Sequence, residues 1–210
     1  MVAEPMSPPT LPSLQNGDLL TRAEFEARWE CQPGLKRAEL IEGRVYIDVS
    51  VSRDHGYLHS LMMSWLGFFW AGNRRFELLD NTTFRLDRDN DPQPDAALRY
   101  TDPNRSRTRV VDNVIEGPPE LVVEVAVSSA ARDLTLKKAI YARNSVSEYI
   151  VWNMHENRID WWALENGDYV LLEADGEGVT ASRVFPGLRL DVAAMLAGDL
   201  AAVFAATAAR

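Results

Sequence analysis

Apolar positions along this chain change period several times, and each change marks a predicted element. From Asp54 onward Leu58, Leu61, Met62, Trp65, Leu66 and Phe69 recur at helical spacing until Gly72-Asn73, which predicts a helix packed on a sheet. Upstream, Thr21 with Glu24 forms a capping-box pattern, and Leu20 with Phe25 holds the staple positions, so a short helix is expected to run to about Cys31. Ala38–Ile41 and Arg44–Val49, hinged at Glu42-Gly43, read as a β-hairpin whose second arm alternates Val45, Ile47 and Val49 on one face. Short β-like runs follow at Phe76–Leu79, Thr82–Leu86 and Asp95–Tyr100, then a polar loop up to Gly117. Leu121–Val127 is almost continuously apolar, as in a central strand covered on both faces. Arg132–Arg143 reads as helix, Glu148–Trp152 and Ile159–Leu164 as strands, and Asn166-Gly167-Asp168 as a turn into Tyr169–Leu172; Asp191 is placed to cap a last Ala-rich helix. With no internal repeat and no long linker, the pattern predicts an α+β (mixed α/β) fold of helices around a mixed sheet. Residues 1–18, with Pro5, Pro8, Pro9 and Pro12, read as a flexible leader before one domain over 19–210.

Composition narrows the function classes. The chain has 210 residues, 46% hydrophobic and 25% charged, a globular balance that excludes disorder and fibre. Its net charge of −9 gives no general attraction to nucleic acid or anionic lipid, so any phosphate-binding surface must be local. Cys31 is the single cysteine, which excludes an intrachain disulfide and a Cys-based zinc site and fits a cytoplasmic setting. The apolar stretch Leu61–Trp70 is too short to span a bilayer, and the N-terminal residues lack an export signal, so no membrane partner is expected. No Gly-rich phosphate loop, dinucleotide fingerprint or nucleophile elbow occurs.

Three carboxylates stand where hydrophobic pattern would not put them. Glu124 lies inside Leu121-Val122-Val123-Glu124-Val125-Ala126-Val127, where losing hydration costs several kcal/mol (roughly) unless the charge is paired or metal-bound. Alternation puts Val122, Glu124 and Ala126 on one face and Leu121, Val123, Val125 and Val127 on the other. Asp95 follows Gln93-Pro94 at the start of an apolar strand, and Glu39 lies between Ala38 and Leu40. Each has an ordinary alternative, an Arg-paired strand end or a polar turn. Together they make an oxygen set of the kind that binds Mg²⁺ or Mn²⁺, with water and a substrate phosphate completing the shell. Lys137 and Lys138, in the next helix, are placed to supply the cation that phosphodiester hydrolysis needs; Asp133 and Lys137 also fit a plain i,i+4 surface pair.

Other candidates weigh less. His55 and His59 share a helix face, without the Glu of a zinc-protease motif or an evident third ligand; His59 is expected at the surface or against a partner, and His155 carries no signal. Arg105 and Arg107, in the basic run that ends at Arg109, are candidates for phosphate contact or a solvated loop. Ser128-Ser129 could bond a phosphate or cap the next helix. Trp152, Trp161 and Trp162 are expected to pack the core, with one of the adjacent pair exposed and available to a homodimer.

These residues resemble the PD-(D/E)XK nuclease superfamily, and more closely its Uma-type restriction endonuclease family. The resemblance rests on AELIEGRVYI, the His55 segment, DNTTFRLDRDNDPQPDAALRY, PPELVVEVAVSSAARDLTLKKAIY and VSEYIVWN, and covers roughly residues 20–200. It implies a restriction-endonuclease-like core, a mixed sheet flanked by helices, and metal-dependent cleavage of DNA. Asp95 matches the PD acid, Glu124 the acid of the (D/E)XK element, and Glu39 an acid from the N-terminal segment; His55 matches a family histidine, expected near the phosphate or orienting Glu39. The lysine of a regular E-x-K would fall at Ala126, and the Asp133-Lys137 spacing moves the cation to the following helix. Gln93, Ser128, Lys138, Arg105 and Arg107 are the expected phosphate or supporting contacts. A homodimer is implied, because duplex cleavage needs two sites. Two other classes stay open: a degenerate nuclease fold that binds nucleic acid or protein, and a glycosidase with paired carboxylates.

Overall fold

Residues 11–47, 51–127 and 129–208 are described by the computed structural model of the chain. Thr21 caps α1 (Arg22–Glu30) by accepting from the Glu24 N–H, as the capping pattern requires. The hairpin β1 (Ala38–Ile41) and β2 (Arg44–Ile47) turns at Glu42 and Gly43, both at positive φ (52° and 71°). Val49 lies outside the described residues. The chain joins this layer earlier than residue 19: Leu14 is buried against Phe25, and the Gly17 N–H donates to Val45 O at 2.8 Å.

Helix α2 (Arg53–Ala71), capped by Ser52, lays Leu61, Met62, Trp65, Leu66 and Phe69 on the main sheet. That sheet has six strands: β3 (Phe76–Asp80), β5 (Ala96–Tyr100), β8 (Leu121–Ala126), β9 (Glu148–Asn153), β10 (Arg158–Glu165) and β11 (Asp168–Leu171), in the spatial order β11-β10-β9-β8-β5-β3. Only β8 and β9 run parallel; every other neighbouring pair is antiparallel, so the sheet is mixed as expected. Strand β8 is central, and its alternation holds: Leu121, Val123 and Val125 face α2, whereas Val122 and Ala126 face the opposite layer with Tyr141, Tyr149 and Trp162. That layer is one helical segment, α3 (Ala130–Arg132), a π-helical turn over Asp133–Lys137, and α4 (Lys138–Arg143).

Several expectations are corrected. Thr82–Leu86 reduces to β4 (Phe84–Arg85), outside the main sheet and parallel to β7 (Val114–Glu116). The polar loop contains a hairpin of β6 (Arg109–Val111) with β7, turned by Asp112 and Asn113 at φ 49° and 63°. Short polar side chains tolerate that left-handed conformation, so Asp-Asn was the available signal. The C-terminal region adds a β12 (Val179–Ala181) and β13 (Arg189–Asp191) pair; Asp191 does cap a helix, α5 (Val192–Ala197), but Gly198 at φ 73° ends it before α6 (Leu200–Ala208). Trp161 and Trp162 face opposite sides and are both buried, so neither is left for an interface. Among the described residues no helix is long and apolar enough to cross a membrane.

Candidate active site

The register of β5 with β8 pairs Ala96 with Val123, and carrying it on by one residue brings Asp95 opposite Glu124. The Val125 N–H donates to Asp95 Oδ2 at 2.7 Å, tying the two strands at that level. Arg37 donates to Asp95 Oδ1 at 3.0 Å from just before β1, and His55 Nε2 on α2 is hydrogen-bonded to Oδ2 at 3.2 Å. Burial alone would raise the Asp95 pKa. The His55 hydrogen bond, the Arg37 charge and the Val125 N–H outweigh it and hold the carboxyl well below its ordinary value.

On the other side of Glu124, the π turn sends Lys137 into the layer. Its Nζ lies 2.7 Å from Glu39 Oε1 and 2.8 Å from Glu124 Oε1, with Asp133 Oδ1 at 4.0 Å, and the side chain is 2% exposed. Burial pushes the Glu124 carboxyl up to about 8, against the attraction of Lys137, because Asp133, Asp95 and Glu39 add negative charge around it. The same burial would lower the Lys137 pKa, but Glu124, Glu39 and Asp133 more than offset it and keep the ammonium charged. Tyr141 on α4 donates its hydroxyl to Glu124 Oε1 at 2.9 Å. Glu39 Oε1 also accepts from the Gln93 N–H at 2.8 Å.

Arg37, His55, Asp95, Glu124, Asp133 and Lys137 line a cavity of about 780 Å³, together with Arg132, whose guanidinium carbon sits 4.8 Å from the centre of the Tyr46 ring. Among the described residues, no three His, Cys, Asp or Glu side chains are gathered as a ready-made metal cage. The donor chemistry still fits Mg²⁺ or Mn²⁺, because such ions keep several waters and need only one or two carboxylates, which Asp95 and Glu124 offer side by side. Among the described residues, the buried oxygens Glu39 Oε2 and Asp133 Oδ1 have no hydrogen-bond partner, in keeping with a site that carries negative charge in excess.

Sequence reasoning thus named four residues that the fold brings together, Asp95, Glu124, Glu39 and Lys137. It placed others differently. His55 contacts Asp95 rather than Glu39, and His59 faces inward, hydrogen-bonded to the Asp95 carbonyl at 2.9 Å and 3.3 Å from Asp80. Gln93 contributes its backbone, while its side chain donates to Thr83. Lys138 is turned away, with Nζ 3.8 Å from the Trp162 ring centre. Arg105 and Arg107 belong to the far end of β5, where they bond Tyr100 and Ser147. Ser128 lies outside the described residues; its neighbour Ser129 donates to Asp133 Oδ2. Arg37, Tyr141 and Arg132 went unnoticed in the sequence.

Over residues 22–193 the sequence matches the family described as Uma2, putative restriction endonuclease. The chain belongs to this Uma2 family. No curated protein matches it. A crystal structure described as a putative nuclease belonging to DUF820, from Anabaena variabilis, is similar in fold at TM-score 0.60 and 13% identity, covering 80% of this chain and 90% of that one. At that identity the likeness shows the restriction-endonuclease-like fold alone.

Proposed function

We propose that the chain is a metal-dependent endonuclease that hydrolyses DNA phosphodiester bonds at the Asp95–Glu124–Lys137 cluster. The observation that carries this reading is the buried Lys137 ammonium, held between Glu39 and Glu124 and lining one cavity with Asp95. Asp95 and Glu124 would hold Mg²⁺ or Mn²⁺, with Glu39 completing the acidic cluster. When bound, such an ion neutralises phosphoryl charge and makes a water nucleophilic near neutral pH. Arg37, His55 and the Val125 N–H keep Asp95 ionised and aimed. An ammonium has three protons, and Lys137 directs two of them at Glu39 and Glu124. The third orients the attacking water or offsets charge on a phosphoryl oxygen. Arg132 on the cavity wall adds a guanidinium suited to a phosphate. Cutting both strands of a duplex needs two such centres, so a cytoplasmic homodimer is part of the proposal.

A second reading has one observation in its favour: Lys137 is already paired with two carboxylates, as it would be in a silent fold kept as a binding module. Nicking of supercoiled plasmid with millimolar Mg²⁺ or Mn²⁺ separates the two. Cleavage by the wild type and none by an identically purified Glu124→Gln variant is the expected result. No cleavage by the wild type, and no thermal shift with either ion, would favour the module.

A further inference from the structure

We infer that Tyr141 is a positioning residue that decides which oxygen of Glu124 is offered to a divalent cation, an inference that rests on the nuclease reading above. Lys137 and Tyr141 both donate to Oε1, at 2.8 and 2.9 Å, from positions four apart on one helical segment. A carboxylate has two oxygens and about four acceptor sites. Two strong donors on one oxygen fix the rotation of the carboxylate about its last bond and leave Oε2 as the oxygen for the cavity that Glu124 lines. Among the described residues the Tyr141 hydroxyl bonds Glu124 alone, and the side chain is itself buried, with its ring 5.0 Å from that of Tyr149. A fully buried hydroxyl directed at an acid of the site is the arrangement by which an outer group orients a ligand.

Lys137 alone would fix that rotation less sharply, because its ammonium is a point charge with no single preferred direction and is shared with Glu39. The phenol hydroxyl is different: its ring, carried on α4, is packed against Tyr149 of β9 in the buried cluster with Val122, Ala126 and Trp162, so its direction is set by the core. Tyr141 never touches substrate in this arrangement and acts only through Glu124.

The test compares wild type, Tyr141→Phe and Tyr169→Phe for Mn²⁺ binding, read by the electron paramagnetic resonance of the free ion and by metal-induced thermal shift. Tyr169 donates its hydroxyl to the Val146 carbonyl, 2.9 Å away, and controls for loss of a core hydroxyl elsewhere. The expected result is Mn²⁺ affinity weakened about tenfold or more in Tyr141→Phe, unchanged in Tyr169→Phe, with nicking by Tyr141→Phe regained as Mn²⁺ is raised. Equal affinity in wild type and Tyr141→Phe overturns the inference while leaving the nuclease reading intact. An equal loss in Tyr169→Phe overturns it too, since the effect would then be general core loosening. If wild type binds no Mn²⁺, the nuclease reading and the inference fall together. Should Tyr141→Phe fail to fold, Tyr141→Trp and Tyr141→Leu carry the same comparison, and normal affinity in either folded variant overturns the inference.

Discussion

Replacing Lys137 by methionine keeps most of the length of the side chain and removes one charge. That charge is 2% exposed and lies 2.7 and 2.8 Å from two buried carboxylates, so Lys137→Met strands Glu39 and Glu124 without their shared cation. Breaking a buried pair from one side costs about 3–5 kcal/mol, because the remaining charge is uncompensated. For a chain of this size each kcal/mol lowers the melting temperature by about 2–4 °C, which gives a fall of about 6–20 °C. The fall depends on pH with a definite sign. Glu124 is already raised to about 8 with Lys137 present, and loses its main attraction without it. A carboxyl raised in the folded state keeps its proton after the unfolded chain has lost its own, so stability is fullest below the unfolded pKa and declines as pH rises toward the folded one. The gap between wild type and Lys137→Met is therefore widest above neutrality and narrow near pH 5 (about the unfolded carboxylate pKa). Circular-dichroism melts across that range measure it. A folded Lys137→Met protein melting within about 2 °C of wild type on the alkaline side would refute the claim that this lysine holds the acids together.

Three further outcomes follow from the same geometry. Glu124→Gln should abolish nicking yet flatten the decline of stability between about pH 4.5 and 8, since the raised carboxyl is gone; an equally steep decline in urea melts would place the titrating group elsewhere. Asp95→Asn keeps the shape of the side chain but lets only one oxygen accept, so the Mn²⁺-induced rise in melting temperature should disappear while the metal-free protein stays folded; an undiminished rise would remove Asp95 from the metal set. Ala126→Lys, which restores a regular E-x-K, should destabilise by about 1–3 kcal/mol from overpacking and should not restore nicking to Lys137→Ala, because position 126 is buried among Val122, Tyr141 and Trp162. Recovery of nicking in that double variant would show that the strand position still reaches the site.

What the sequence made legible was what breaks a period. Glu124 was visible because an acid interrupts an apolar strand, and β8 then supplied its partners by alternation. Asp95 and Glu39 were visible for the same reason, and Lys137 by its spacing from Asp133. Arg37 was not, because its contact with Asp95 spans 58 residues and leaves no local mark. Tyr141 looked like a core residue, which it also is. His59 was misplaced because a helix face that is polar in sequence can still lie against a strand end, here the Asp95 carbonyl. The β6–β7 hairpin escaped notice because its arms are short and half exposed, so turn chemistry was their only signal.

The π turn at Asp133–Lys137 has a consequence for insertions and deletions. On a strand, an acid and a lysine two residues apart share a face, and any inserted residue sends the lysine to the other side. In an ordinary helix one added residue swings every later side chain by about 100°. A π turn absorbs such a residue by widening locally, so the flanking helix keeps its face while the widened turn re-aims its own side chains. Lys137 lies thirteen positions after Glu124, and the aim of the lysine is set inside that turn rather than by the strand. Removing one residue from the turn would leave an intact-looking helix with its lysine pointed elsewhere. A scan for an acid and a lysine two apart on a strand would pass over this site, although the charges meet in space, and at that strand position Ala126 packs in the core.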